Sequence, residues 1–156
     1  MPLIVGENSN VSLEDANDYF ELRINSSVWD LATTAKKGKA LATATAILNN
    51  IDWLGEAESD SQLSAFPRKG SYYEPLIGHE IEFSGTPARV QKGTYELAFH
   101  LLGNETLLDD TGGVEDFKVG PISLKDIRSP AEIPSMVYEV IKPLRKRNSH
   151  NWWRAN

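Results

Sequence analysis

The sequence contains no cysteine. Disulfide frameworks and cysteine-based zinc sites are excluded, and redox chemistry says nothing about compartment. Histidine is scarce: His79, His100 and His150 form no HExxH, and no pair stands four residues apart. There is no GxSxG elbow and no P-loop. The acid pairs Asp109–Asp110 and Glu115–Asp116 read as loop charges among twenty-two carboxylates. His100 lies between Phe99 and Leu101 on a helix-like segment, so a structural role is expected for it, and His79 is expected in a solvated loop. No catalytic, cofactor-binding or metal-binding residues are expected, and the reading is of a non-enzyme. No run approaches the ~20 apolar residues that a membrane-spanning helix needs. The start MPLIVGENSN lacks the charged and apolar regions of a signal peptide. A protein made in the cytoplasm, without a membrane partner, is expected. Internal repeats and low-complexity segments are also missing.

What is present is an ordinary globular composition with an uneven charge. A chain of 156 residues, 40% apolar and 24% charged, has enough material for one domain with its own core. The last fifteen residues, KPLRKRNSHNWWRAN, hold five of the sixteen Lys and Arg residues and no acid. Residues 1–141 therefore carry eleven bases against twenty-two acids, a body near −11 beside a tail near +5. Such asymmetry marks an interaction tail. It divides the chain into a domain over 1–141 and a basic, Trp-containing docking tail over 142–156.

Apolar periodicity predicts about four helices. The first spans Leu13 to Ile24, with Ser12 and Asp15 as a capping box. The second runs through TAKKGKALATATAILNNIDWLG with a stripe of Leu41, Ala44, Leu48 and Ile51, and its many alanines allow a neighbour to approach closely. Thr86 and Pro87 open the third, which Gly103 closes. The fourth lies in IPSMVYEVIKPLRKR, kinked by Pro143. Short strands are expected near Leu3–Gly6, within Ser71–Phe83 as a small hairpin, and at Lys118–Leu124 with a bend at Gly120–Pro121. The resulting fold class is mainly α, a four-helix bundle-like domain with an insertion at 55–85.

Six stretches, in order, carry a resemblance: NVSLEDANDYF, ATAILNNIDWLG, QLSAFPRKG, YELAFHLL, KVGPISL and YEVIKPL. Together they resemble the head-to-tail adaptor (head-completion, or connector) proteins of tailed bacteriophages, some of which are labelled DnaT-like single-stranded-DNA-binding proteins. The resemblance covers most of Val11 to Leu144. It departs in SYYEPLIGHEIEFSG, which is longer and more apolar than usual, and in RKRNSHNWWRAN, which runs past the usual end.

The resemblance implies a structural virion neck protein. Subunits would form a homo-oligomeric ring, typically a dodecamer, below the portal. The ring would extend the channel for genomic DNA without sequence-specific binding, and would connect to the next neck or tail protein. An acidic body suits such a conduit, because DNA is gripped by Lys and Arg neutralising phosphates. The alternative is a single-stranded-DNA-binding replication accessory, which a basic groove with aromatics on one face would favour.

The tail has three readings: a solvated terminus, a nucleic-acid contact through basic residues and stacking Trp, or a docking segment for the portal. The docking reading is preferred, because paired Trp residues suit a binding hot spot. It assigns Lys142, Leu144, Arg145 and Lys146, followed by Arg147, Trp152, Trp153 and Arg154. The 55–85 loop is either a hairpin packed on its own body or a ring- or tail-facing surface. Tyr72, Tyr73, Leu76, Ile77, Ile81 and Phe83 are its candidate residues.

Overall fold

The computed structural model of the chain describes residues 2–105, 116–119, 122–125 and 133–146. The elements in chain order are α1 (Leu13–Glu21), α2 (Ser27–Leu31), α3 (Thr34–Leu48), β1 (Glu56–Ala57), β2 (Arg68–Glu74), β3 (His79–Gly85), α4 (Ala88–Gly103), β4 (Asp116–Val119), β5 (Ile122–Lys125) and α5 (Ser135–Ile141). A 3-10 turn over Lys142–Leu144 follows. The strands form a three-stranded antiparallel sheet, β1-β2-β3, and a separate antiparallel pair, β4-β5.

The fold is mixed α/β, and this corrects the expected four-helix bundle. The main cause is 55–85, where the small hairpin expected within Ser71–Phe83 is extended into seven-residue strands β2 and β3 and joined by β1 into a three-stranded sheet. Along β2, Tyr72 and Glu74 are buried while Ser71 and Tyr73 are exposed, which is the period of a strand with one face on a core. The turn closes with the Gly78 N–H donating to the Glu74 carbonyl at 2.9 Å. Gly78 has φ +76°, a conformation that glycine adopts without steric cost. Likewise, 116–119 and 122–125 are two paired antiparallel strands rather than one strand, and the bend expected at Gly120–Pro121 lies outside the described residues.

The helices deviate where local chemistry acts. Ser12 Oγ accepts from the Asp15 N–H at 3.0 Å and donates to Asp15 Oδ2 at 2.6 Å, which starts α1 as expected. The helix stops at Glu21, before the expected Ile24, and Asn25 at φ 62° redirects the chain. The following segment, for which the apolar periodicity gave no helix, contains α2, whose Trp29 is buried and stacks on Phe20 at 4.3 Å. For α4 the expected Thr86 cap is absent: the cap position is Pro87, whose carbonyl accepts from Val90 and Gln91. Near Leu3–Gly6 there is an isolated bridge, Val5 with Ser9, instead of a strand. Pro143 does not kink a continuing helix: α5 ends at Ile141 and the chain tightens into the 3-10 turn.

Helices α3 and α4 form the centre, with Leu41, Ala44 and Leu48 facing a core that includes Val90, Leu97 and Ala98. On the other side of α4 packs α5, which buries Val137 and Ile141. Gly93 permits that contact, because a Cβ there would lie 2.7 Å from Ile141 Cγ2. Gly93→Ala is expected to destabilise the domain by about 1–3 kcal/mol through overpacking, despite alanine's better helix propensity. Urea unfolding of the variant beside the unaltered protein checks this, and an unchanged or raised midpoint would show that α5 yields.

Candidate functional site

The end of the α5 segment is fixed to the body by backbone pairing. The Leu54 N–H donates to the Leu144 carbonyl at 2.9 Å, and the Lys146 N–H donates to the Asp52 carbonyl at 2.8 Å. Trp53 and Arg145 form an antiparallel bridge between these bonds. This pairing follows from the buried anchors around it, Trp53, Leu144 and Ile141. It leaves the side chains of Arg145 and Lys146 exposed, while their backbone is held.

Across from this segment stands the β2–β3 hairpin. Between the two lies a cleft of about 920 Å³, whose lining includes Tyr73, Arg89, Lys142, Arg145 and Lys146. Pro75, Pro143 and Leu54 complete its apolar floor and rim, and Glu139 is the one acid among its described lining residues. Tyr73 is 58% exposed, so one ring is available to a ligand.

The four cations of the cleft differ in how far they are already engaged. Arg89 is the most tied: its Nε donates to Glu74 Oε2 at 2.7 Å and its second terminal nitrogen to Glu74 Oε1, while the first donates to the Val140 carbonyl at 3.1 Å. Glu74 also accepts from the Tyr72 hydroxyl at 2.9 Å and the Leu76 N–H at 3.0 Å. The hydrogen bonds from Arg89, the Leu76 N–H and Tyr72 outweigh burial and hold the Glu74 carboxyl down at about 2. Burial and the carboxylate beside it push the Tyr72 hydroxyl up. Arg89 is thus a fixed wall that joins hairpin, α4 and α5. Lys142 pairs at 3.2 Å with Glu139, an exposed and weak contact. Arg145 lies over the Tyr138 ring at 4.8 Å. Among the described residues, Lys146 Nζ has no hydrogen-bonding partner.

The outward face of the sheet carries Tyr73 beside its cross-strand partner Glu80, and also presents Glu82. On the same sheet Glu58 accepts from Ser84 Oγ and the Gly85 N–H at 2.9 Å each. Past Tyr73 these acids repel phosphate. Among the described residues, no group of three or more His, Asp or Glu side chains is placed to hold a metal ion. None of the described helices is long and apolar enough to cross a membrane.

A family model described as "Putative DnaT-like ssDNA binding protein" matches residues 2–149. The chain belongs to this family. No curated protein and no solved structure gives a significant match. The match to the DnaT-like family spans both walls of the cleft, from the hairpin to Lys146.

The residues singled out in the sequence separate in the structure of this DnaT-like protein. Lys142, Arg145 and Lys146 come together in the cleft. Leu144, assigned to docking, is a core residue at 1% exposure. Arg147, Trp152, Trp153 and Arg154 lie outside the described residues. Of the hairpin set, Tyr73, Leu76 and Ile77 are exposed, whereas Tyr72 is buried and Ile81 and Phe83 pack against the core. Sequence reasoning missed Arg89, Glu74 and Tyr138. A lone Arg at a helix start and a lone Glu before a Pro–Leu–Ile turn carry no pairing signal across fifteen residues.

Proposed function

We propose that the protein binds single-stranded DNA through the cleft between the β2–β3 hairpin and the end of α5. The supporting observation is the grouping of Lys142, Arg145 and Lys146 opposite the exposed Tyr73 on a chain of net charge −6. Membership of the DnaT-like family agrees with it. Cations that neutralise phosphates, next to an aromatic face that accepts any base, make a sequence-tolerant single-strand site. The acidic sheet face keeps the backbone from spreading beyond the cleft. The role is one of binding, with no chemical step and no cofactor.

Three available cations imply three phosphate contacts. For single strands the logarithm of the binding constant should then fall against the logarithm of salt with a slope of about −2. Anisotropy of a labelled oligothymidylate of about 4 nucleotides, short enough to occupy the cleft alone, measures this across a salt series. Absence of binding at low salt, or binding indifferent to salt, would sink the reading.

A second reading is the ring-forming head-to-tail adaptor, and a separate observation favours it. Two exposed apolar patches lie toward opposite ends of α4: Leu76 and Ile77 at the hairpin turn, and Leu22, Ile24 and Leu31 at the α1–α2 corner. The first neighbours the cleft cations, and the second neighbours the exposed acids Asp18, Glu21 and Asp30. Unlike patches of complementary charge suit head-to-tail association, which closes into rings. In that setting Trp152, Trp153, Arg147 and Arg154 would dock on a portal in the virion neck. Negative-stain imaging, and portal capture by the full chain against one ending at Lys146, separate this from the cleft reading. Tail-dependent portal capture without oligonucleotide binding supports the adaptor.

A further inference from the structure

We propose a second phosphate-binding patch, formed by Lys36 and Lys39 at the far end of α3, that engages the same DNA strand as the cleft. The inference rests on the single-strand reading above. Its first support is a gap in the charge pattern. The chain has twenty-two acids, yet none occurs from Leu31 to Ile51, where three lysines stand at 36, 37 and 39. These lysines occupy the first turns of α3, where the helix dipole disfavours positive charge, and no acid accompanies them there. A locally unfavourable placement of this kind is expected at functional positions.

The second support is a cavity. A pocket of about 300 Å³ opens between α3 and the end of α4, with Lys36, Lys39, Thr43 and Asn104 in its wall. Lys36 bridges to Glu105 at 2.6 Å, but both side chains are more than half exposed, so a phosphate can compete for the lysine. Among the described residues Lys39 Nζ has no hydrogen-bonding partner. Lys37 is engaged differently: it lies over the Trp29 ring at 5.3 Å and reaches Asn17 Oδ1 at 3.4 Å. It is part of the body and not of the patch.

The third support is the surface between the two sites. From Lys39 the outer stripe of α3 continues through Thr43, Ala46 and Asn50, all small or neutral and none buried. It leads to Asp52 and Leu54, the segment paired with Leu144 and Lys146 at the cleft. The carboxylate of Asp52 is the first negative charge met along it. A fifteen-residue helix is about 22 Å long. At the stacked spacing of ~3.4 Å per nucleotide, a strand joining the two sites covers roughly six nucleotides, within the usual range for such proteins.

The test compares oligothymidylates of about 4, 8 and 16 nucleotides on the full chain and on the Lys36→Gln/Lys39→Gln variant, whose changes are both on exposed side chains. The unaltered protein should bind the two longer strands at least about tenfold more tightly than the shortest. The variant should lose about tenfold for the longer strands and nothing for the shortest, and its salt slope on the longer strands should drop by about 1.4. An equal loss at all three lengths, or no loss at any, would overturn the second patch while leaving the cleft intact. Failure of the unaltered protein to bind any of them would overturn the cleft reading and the second patch with it. Melting of both proteins at the same temperature shows that the variant is folded.

Discussion

Charge reversal at Arg145 and Lys146, combined with Tyr73→Ala, is expected to lower affinity for single-stranded oligonucleotide by at least a hundredfold. Each lysine or arginine that meets a phosphate contributes a salt-dependent increment. Reversal removes that increment and adds repulsion. Loss of the Tyr73 ring removes a stacking contact worth about 1–3 kcal/mol, and 1.4 kcal/mol is already tenfold. The fold should tolerate the change. The backbone N–H of Lys146 and the bridge at Arg145 hold this segment, and neither depends on the side chain. Lys142→Glu alone should have a smaller effect, because Lys142 already shares its charge with Glu139. The check is anisotropy titration with thermal melting alongside. Retained affinity in a folded triple variant would place the site elsewhere on the molecule.

Removal of the Glu74 carboxylate is expected to produce the largest loss of stability. The Glu74 and Arg89 side chains are 10% and 19% exposed, and Glu74 accepts from Arg89, Tyr72 and the Leu76 N–H. Glu74→Ala leaves the guanidinium without its counter-charge in a nearly buried position, a change that costs about 3–5 kcal/mol. That is a large part of the 5–15 kcal/mol typical of a domain. Replacing both partners together, as Glu74→Leu with Arg89→Met, should cost less than Glu74→Ala alone, since no buried charge is stranded. Urea unfolding of the three variants tests the ordering, and a double variant weaker than Glu74→Ala would contradict it.

The same pair gives a pH dependence of definite sign. Hydrogen bonds to Arg89 hold the Glu74 carboxyl at about 2, below its ordinary 4.5. A carboxyl depressed in the folded state stabilises it fully above the ordinary value. That contribution is lost as pH falls from about 4.5 toward 2, up to about 2 kcal/mol after allowance for solvent screening. In Glu74→Gln the stability curve should be flatter across this window. Since the pair joins the hairpin to α4 and α5, its protonation in the folded protein as pH approaches 2 should also loosen the cleft and weaken oligonucleotide binding.

The two ends of the chain show how far patterning alone can be read. Ser12 with Asp15 and the stripe of Leu41, Ala44 and Leu48 are local signals that produced the elements they imply, but α3 ends at Leu48, before the expected Ile51, and Pro87 is the cap of α4 and not its first helical residue. The basic character of Lys142, Arg145 and Lys146 was equally plain. The helix-bundle expectation failed because Pro75 and Gly78 punctuate the 55–85 segment between its strands and several Glu residues stand within them. Its alternation emerges only when Tyr72 and Glu74 have a helix to face. α2 was hidden for the same reason: a five-residue helix owes its existence to Trp29 stacking on Phe20, a tertiary contact that no local propensity encodes. The cleft is a tertiary object as well. A sequence shows that cations follow α5, but the pairing of residues 144–146 with residues 52–54 decides that they turn toward the hairpin, and Glu74 decides that Arg89 stands between them as a fixed wall. Composition and periodicity thus determined the charge and the places of α1, α3, α4 and α5, but not α2. The long-range hydrogen bonds and buried rings, which pair residues far apart in the chain, decided the sheet and the site, because such pairings leave no regular spacing to read.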